Sequence, residues 1–463
     1  MLNQSVSRET PTRPAKKHTD GAQVSLDITI VGAGIGGLAA AYVLGRAGHR
    51  VTVLESAAVL SSVGAGIQIT PNMSRLLIRW GLGDALQKIA VVPQALSLRR
   101  YQTGERVGWT KWGEGIERNH GAPYYHVHRA DLQKLLLELA TPYMTLRLNS
   151  KVLTVEPTTP FVVLECGEII KTDLVIGADG VRSTIRDIVA GRSDAPLATG
   201  DAAYRATIPT SKMLLDPDLR SLVEGAETNV WMGPGRHVVG YCIRAKKEYN
   251  LVMIHPSNGE GEVPAPTSRQ QMKADFAGFE PRVRKLLEVV PSTMSWALMD
   301  RQPMQTWVHP RNTICLLGDA CHPMLPYRAQ GAAMAVEDAA VLGNLLSRLT
   351  SRKQVPFLLQ AYQHIRHPRA SETQMASRMN QKIFHFEDGP QQEARDASMR
   401  TAMEAELQRL EGEDLSSEKN RDNANVWADK AKSMAAFDYD ADAAVEKWRQ
   451  TETRAMSAAV VKL

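Results

Sequence analysis

Residues 27–55 limit the fold more than any other stretch of the chain. Asp27-Ile28-Thr29-Ile30-Val31 is a short β-branched run, suited to a buried strand of a parallel sheet. Gly32-Ala33-Gly34-Ile35-Gly36-Gly37 follows, with the G-x-G-x-x-G spacing at Gly32, Gly34 and Gly37. Leu38 to Gly45 then reads as an alanine-rich helix, and Arg50 to Leu54 as a second strand ending in Glu55. Each glycine has its own task in such a unit. Gly32 permits the tight turn, Gly34 lets the backbone approach a pyrophosphate, and Gly37 lets the helix pack on the strand. The helix N-terminus offers free N–H groups and the positive end of its dipole to phosphates. Glu55 stands eighteen residues after Gly37, where a carboxylate can accept from a ribose hydroxyl. A bare GxGxxG is often only a glycine-rich turn. The strand before it, the helix after it and the spaced acid make it a dinucleotide site, with NAD and FAD both open.

Two more apolar strands end in glycine–acid turns. Leu174-Val175-Ile176-Gly177-Ala178 runs into Asp179-Gly180, and Thr313-Ile314-Cys315-Leu316-Leu317 runs into Gly318-Asp319. Acids at the C-terminal ends of parallel strands sit where doubly wound sheets bind ligands. Either turn alone is an ordinary strand end; three in one chain point to one extended cofactor. Residues 200–300 are richer in strands, and Gly233-Pro234-Gly235-Arg236 between Thr228–Met232 and His237–Arg244 is a hairpin signal. Beyond Asp388 the chain turns polar and charged and reads as helical.

Composition removes several classes. With 43% apolar and 23% charged residues, the 463-residue chain is an ordinary globular protein of two or three domains. A net charge of +5 over this length gives no case for nucleic-acid binding. Four cysteines call for no disulfide framework and suit reducing conditions. The charge-free stretch Ile28–Gly45 has the length of a membrane span, but its five glycines belong to the turn unit, so no span is expected. Residues 1–23 are polar, without a signal core, and read as a disordered arm. The chain ends Val461-Lys462-Leu463, a departure from the Ser-Lys-Leu peroxisomal address. An intracellular, cytoplasmic protein is expected, with the peroxisome as the alternative. No P-loop, G-x-S-x-G or H-E-x-x-H occurs, and Cys315, Cys321 and His322 lack zinc spacing, so no metal is expected.

Together, Gly32-x-Gly34-x-x-Gly37 with Glu55, Asp179-Gly180 and Gly318-Asp319 resemble the single-component FAD-dependent aromatic hydroxylases, nearest the salicylate hydroxylase-like branch with its fungal secondary-metabolism members. The likeness covers about residues 26–385. It implies an α/β fold: a doubly wound FAD-binding domain, an inserted β-sheet substrate domain and a helical C-terminal extension. The corresponding divisions are 24–195 with 300–385 for FAD, 196–299 for substrate, and 386–463 for the extension.

The resemblance also implies roles for single residues. Glu55 would bind the adenosine ribose, and Ala65 and Gly66 would pass their backbone near the flavin or ribityl chain. Arg129 would meet the phosphate and ribityl region, Asp179 and Gly180 would support FAD and the pyridine nucleotide, and Asp319 would hold the ribityl or pyrophosphate part. Gly331 and Ala332 would present N–H groups to the isoalloxazine, where a helix dipole favours the negative charge of reduced flavin. The family loop Pro-x-x-Gly-Gln-Gly stands here as Pro326-Tyr327-Arg328-Ala329-Gln330-Gly331, with Ala329 in place of its first glycine. On the substrate side, Arg205 would hold a phenolate or carboxylate and Tyr241 would orient the same oxygen. A strand Arg is more often a surface or ion-pair residue, and a strand Tyr more often packing.

The implied activity is NAD(P)H- and O2-dependent hydroxylation of a phenolic or hydroxybenzoate-type ring through a flavin hydroperoxide, with decarboxylation or dearomatisation set by the ring substituent. A separate NAD(P)H Rossmann unit is not expected, since no second strand–GxGxxG–helix occurs. The alternatives are an epoxidase or dehydrogenase on the same fold, or a non-catalytic dinucleotide-binding module. Oligomeric state is left open.

Overall fold

The computed structural model describes residues 21–60, 65–259, 261, 264–411 and 422–460, the last seven by backbone alone. Most of the N-terminal arm, Val63-Gly64 and the C-terminal tripeptide lie outside these residues. Five parallel strands form the central sheet in the order 314–316, 174–177, 27–31, 50–54, 144–147. The two strands that open the glycine-turn unit, Asp27–Val31 and Arg50–Leu54, lie side by side in register. Helix Ile35–Arg46 packs between helices Arg129–Ala140 and Gly331–Leu346. One apolar core runs through this layer and on through the three-stranded antiparallel sheet of residues 152–171. The fold is doubly wound α/β, as the glycine turn requires.

A second, mixed sheet of eight strands has the order 265–266, 294–300, 197–209, 248–256, 236–243, 228–233, 95–100, 106–111. The hairpin expected around Gly233–Arg236 is present, with Trp231 opposite Val238. The last two strands, 95–100 and 106–111, come from the segment that the sequence division gives to the FAD unit. Strand 95–100 joins the other sheet by parallel pairing with 228–233, a contact between segments some 130 residues apart that no local pattern announces.

Both faces of this sheet are covered. One packs on helices Pro217–Glu224, Arg269–Asp275 and Pro281–Val289. The other meets the loop around Leu325 and Tyr327 and, from the C-terminal region, Phe384, Met399 and Phe437. The polar tail is helical: Pro390–Leu410, Lys430–Phe437 and Ala441–Val460. Among the described residues no helix is long and apolar enough to cross a membrane.

Candidate active site

A cavity of about 390 Å³ opens between the two sheets. Its walls follow from strand register. Arg205 pairs with Val252, Val252 with Val239, and Val239 with Val230, so these four side chains form one row across the sheet and all line the cavity. The neighbouring row contributes Ile254 opposite His237. A slip of one residue would turn the whole set away.

The opposite wall is backbone from the parallel-sheet layer: Gly34, Ile35 and Gly36, then Ala178 and Gly180, then Leu317 to Asp319, then Gly331 and Ala332. Helices Ile35–Arg46 and Gly331–Leu346 begin there, and neither has a side-chain cap. Their first N–H groups therefore face the cavity without intrahelical partners. By contrast, His128 caps helix Arg129–Ala140 and Ser183 caps Thr184–Ala190 with their side chains.

The three glycines separate by what a Cβ would meet. At Gly32, where φ is +104°, it would lie 2.4 Å from the Ala178 carbonyl oxygen, and at Gly37, 2.0 Å from the Gly32 carbonyl oxygen. At Gly34 it would meet no protein atom within 4 Å. Gly32 and Gly37 are explained by the fold; Gly34 is explained only by something that approaches from the cavity.

The charged residues behave differently from one another. Asp319 lines the cavity, and a Cβ at Gly331 would lie 3.9 Å from its Oδ1, which puts the carboxylate at the start of helix Gly331–Leu346. Enclosure raises its pKa, while His322 and Arg129 pull it down. Burial lowers the Arg129 pKa, and Asp319 opposes that shift. Glu55 does not line the cavity. Its Oε2 accepts from the Ala33 N–H at 2.9 Å and its Oε1 from the Ala57 N–H at 2.9 Å, so it is fastened to the glycine turn. Asp179 also stays out of the cavity. Its carboxylate accepts from Ser183 Oγ at 2.5 Å and Thr184 N–H at 2.8 Å at the head of the following helix, while its neighbours Ala178 and Gly180 reach the wall. Ala65 is buried, with its carbonyl taken by Arg129 N–H at 3.0 Å. Gly66 lines the cavity, its N–H donates to Asn250 at 2.6 Å, and a Cβ there would lie 2.7 Å from the Tyr241 ring. Gly66 opens strand Gly66–Ile69, which pairs with Tyr125–His128 in a separate two-stranded sheet, so these contacts fasten that small sheet to the eight-stranded one.

Ala329 lies on the cavity wall with φ 54° and ψ 32°. The loop keeps the left-handed turn that suits glycine, and the L-residue carries a cost of about 1 kcal/mol there.

Arg205 and Tyr241, the residues expected to meet the substrate, come together. The Arg205 Nε is buried without a hydrogen-bond partner, and its guanidinium carbon lies 5.0 Å from the centre of the Trp296 ring. Burial lowers its pKa, the Tyr241 hydroxyl opposes this, and Arg129 adds to it. Burial raises the Tyr241 pKa, partly offset by Arg205 and by a hydrogen bond with Gln68, so the phenol stays protonated as a donor. Gln68 in turn accepts from the Tyr124 hydroxyl.

Sequence reasoning missed several wall residues. His237 could have been found, because it stands four residues before Tyr241 on one strand and so shares its face. Phe384 and Trp427 carry no such signal. They reach the cavity from the C-terminal region, with ring centroids 6.2 Å apart. Cys321, His322 and Asp338, all buried, bring ligand-type atoms within 4.8 Å of one another but do not line the cavity. The Asp338 charge is already met by His322 at 2.6 Å and Arg366 at 2.8 Å, which ties its helix to the core.

These groups fit FAD. Two uncapped helix N-termini, an open backbone at Gly34, the Asp319 carboxylate and the buried Arg129 suit a pyrophosphate, a ribityl chain and an electron-accepting ring.

Comparison with known proteins agrees. The family described as "FAD binding domain" matches residues 25–377. FAD-dependent monooxygenase OpS4 of Beauveria bassiana is 36% identical over 386 residues, covering 82% of this chain and 90% of that protein. 3-Amino-4-hydroxybenzoate 2-monooxygenase PtmB3 of Streptomyces platensis is 38% identical over 379 residues, covering 81% and 92%. Among solved structures, a salicylate hydroxylase substrate complex has a TM-score of 0.69 at 26% identity, covering 85% of this chain and 97% of that one. The chain therefore belongs to the FAD-binding domain family and is one of its FAD-dependent monooxygenases.

Proposed function

We propose that this enzyme uses NAD(P)H and O2 to hydroxylate a phenolic or hydroxybenzoate-type ring. The observation that carries the reading is Arg205: a half-buried arginine whose Nε is buried and unpartnered, on the cavity wall beside Tyr241. An uncompensated cation in such a place is costly unless an anion completes it. A phenolate or carboxylate oxygen does so, and the guanidinium fork can hold two oxygens.

The work of the protein side chains follows. Arg205 lowers the pKa of a phenol bound against it, because its positive charge favours the anion. Tyr241, held protonated, donates to the same oxygen and fixes the ring. His237 stands on the same strand face as the group able to take the hydroxyl proton. The valine row, with Trp112, Phe384 and Trp427, lines the remainder and excludes water. The N-terminus of helix Gly331–Leu346 favours negative charge at the cofactor ring. Bound FAD supplies oxygen activation with electrons from the nicotinamide. A ring carbon bearing a carboxylate would lose carbon dioxide on hydroxylation, and one bearing an alkyl group would lose aromaticity. The names of OpS4 and PtmB3, a monooxygenase and a hydroxybenzoate monooxygenase, support this substrate class and a place in secondary metabolism.

The test is a visible spectrum of the purified protein, followed by NADPH and NADH consumption with a panel of phenols and hydroxybenzoates. Flavin absorbance and phenol-stimulated oxidation are expected. Arg205→Ala should keep its flavin and lose the stimulation. Stimulation unchanged in Arg205→Ala would sink the phenolate reading and favour an epoxidase.

A further inference from the structure

A pair of histidines leads out of the cavity. His237 is 3% exposed and lines the wall. Its Nδ1 lies 2.8 Å from His385 Nε2, with ring centroids 5.0 Å apart. That contact leaves His237 Nε2 as the nitrogen for the cavity. His385 follows helix Val355–Phe384, and its side chain keeps 10% of its surface exposed, which gives the pair a narrow edge to solvent. Its backbone is fixed: the N–H donates to the Gln381 carbonyl at 3.1 Å, and its carbonyl accepts from Gly235 N–H at 3.2 Å. Its Nδ1 lies 3.8 Å from Asp201 Oδ2. Asp201 in turn accepts from the Tyr327 hydroxyl at 2.7 Å and from Gln381 Nε2 at 2.6 Å. His385 and Gln381 both lie beyond the stretch that the family matches.

We propose that His237 and His385, with the Asp201 charge beside them, form a proton wire that carries the substrate hydroxyl proton from the cavity to solvent. This rests on the phenol reading above. The substrate O–H breaks and its electron pair stays on oxygen. The proton bonds to His237 Nε2 while the proton on His237 Nδ1 passes to His385 Nε2. His385, cationic for that moment and favoured by the Asp201 charge 3.8 Å away, gives up its Nδ1 proton to solvent water. The net result is a phenolate in the cavity and one proton released outside. His385 and Asp201 are positioning residues: they fix the His237 tautomer and take the charge away from a cavity that already holds Arg205.

The electrostatics suit a relay of neutral rings. Burial holds the His237 pKa well below its usual value, with His385 adding to the effect. Burial also lowers His385 to about 4, Asp201 opposing and Arg236 reinforcing the shift. The charged and titratable groups facing the pair are Asp201 and Tyr327 from one side and Arg236 from the hairpin. Both rings are therefore neutral at pH 7, and neither stores the proton it passes.

The experiment uses the FAD-loaded enzyme with 4-nitrophenol, whose phenolate is coloured, as the probe. After a pH jump, the rate of phenolate formation in the bound probe is followed by stopped flow. His385→Phe keeps a ring for packing and removes both nitrogens; His385→Ala leaves room for added imidazole. Expected are probe affinity within about twofold, a flavin spectrum unchanged, and deprotonation slowed tenfold or more, since positioned acid–base groups contribute roughly 10²–10⁴. Imidazole should restore the rate in His385→Ala and not in His385→Phe. An unchanged deprotonation rate in His385→Phe, or imidazole failing to act on His385→Ala, overturns the wire while leaving the phenol reading intact. A wild-type enzyme that does not bind the probe overturns both.

Discussion

Gly34 and Gly37 are two residues of one motif with opposite expected fates. Alanine at Gly37 would place its Cβ 2.0 Å from the Gly32 carbonyl oxygen. The helix must then move off the strand, an overpacking cost of about 3 kcal/mol or more that outweighs the roughly 1 kcal/mol gained in helix propensity. Alanine at Gly34 meets no protein atom within 4 Å, and the backbone there, φ −71° and ψ −178°, is open to any residue. Lost glycine capping and the smaller unfolded-state entropy nearly offset each other, so stability should stay within about 1 kcal/mol. The new methyl instead occupies the cavity in front of the Ile35 and Gly36 N–H groups. A phosphate pushed off one or two of those charge-assisted hydrogen bonds loses about 2–4 kcal/mol, or roughly 30- to 1000-fold in Kd. The assay pairs urea unfolding of the apoprotein with a flavin fluorescence titration. Gly34→Ala binding FAD within threefold of wild type, or unfolding more than about 2 kcal/mol more easily, would refute the reasoning that its place is set by the cofactor alone.

Ala329→Gly relieves a left-handed alanine but adds unfolded-state entropy; the balance should stabilise the protein by up to about 1 kcal/mol, and a lower Tm would contradict it. Stability should also fall with acid earlier than carboxylates alone would cause. His49, His126, His237 and His385 all have folded pKa values depressed by burial, His126 to about 3 and His385 to about 4. Below the unfolded value of about 6.5 the unfolded chain takes up protons that the folded chain refuses, so stability is full above that pH and falls toward 4. At pH 5.5 the loss is roughly 1.4 kcal/mol for each of His126 and His385; urea midpoints that stay flat from pH 7.5 to 5 would show these rings to be solvated. Trp427→Ala should enlarge the cavity at its C-terminal wall, leaving FAD binding intact while extending phenol-stimulated NAD(P)H oxidation to bulkier rings; an unaltered substrate profile would show that this side chain does not bound the substrate.

What could be read from the sequence divides along a physical line. The cofactor wall is made of chain-local devices: a strand, its glycine turn, a helix start, an acid at a strand end. Each leaves a short pattern, which is why Gly34 and Asp319 could be picked out from the residues; Gly331 and Ala332 came from the family resemblance, and all four line the cavity. Asp179 and Glu55 carried the same pattern but spend their carboxylates on N–H groups of the turns themselves. A local motif gives the position of an acid, and only the fold gives its partner. The substrate wall depends on pairing between distant segments. Arg205 and Val239 share a row only because strand 248–256 lies between their strands, and His237 meets His385 across 148 residues. Strand 95–100, Phe384 and Trp427 enter the same way and leave no periodic trace.

This division has a consequence for how such a chain can change. The cofactor side is held by backbone, so substitutions at Gly32 or Gly37 should act on the fold and one at Gly34 on the room left for FAD, whatever the substrate. The substrate side is held by side chains projecting from a sheet whose register is fixed elsewhere, at Gly66 against Asn250 and Tyr241 and in the buried strand pairs. A residue there should be exchangeable without disturbing the sheet, so selectivity at Arg205, His237 or Trp427, if these bound the substrate as proposed, is expected to separate from folding and from FAD binding. The histidine pair lies on the substrate side of that line: its loss should change proton transfer while leaving the flavin in place.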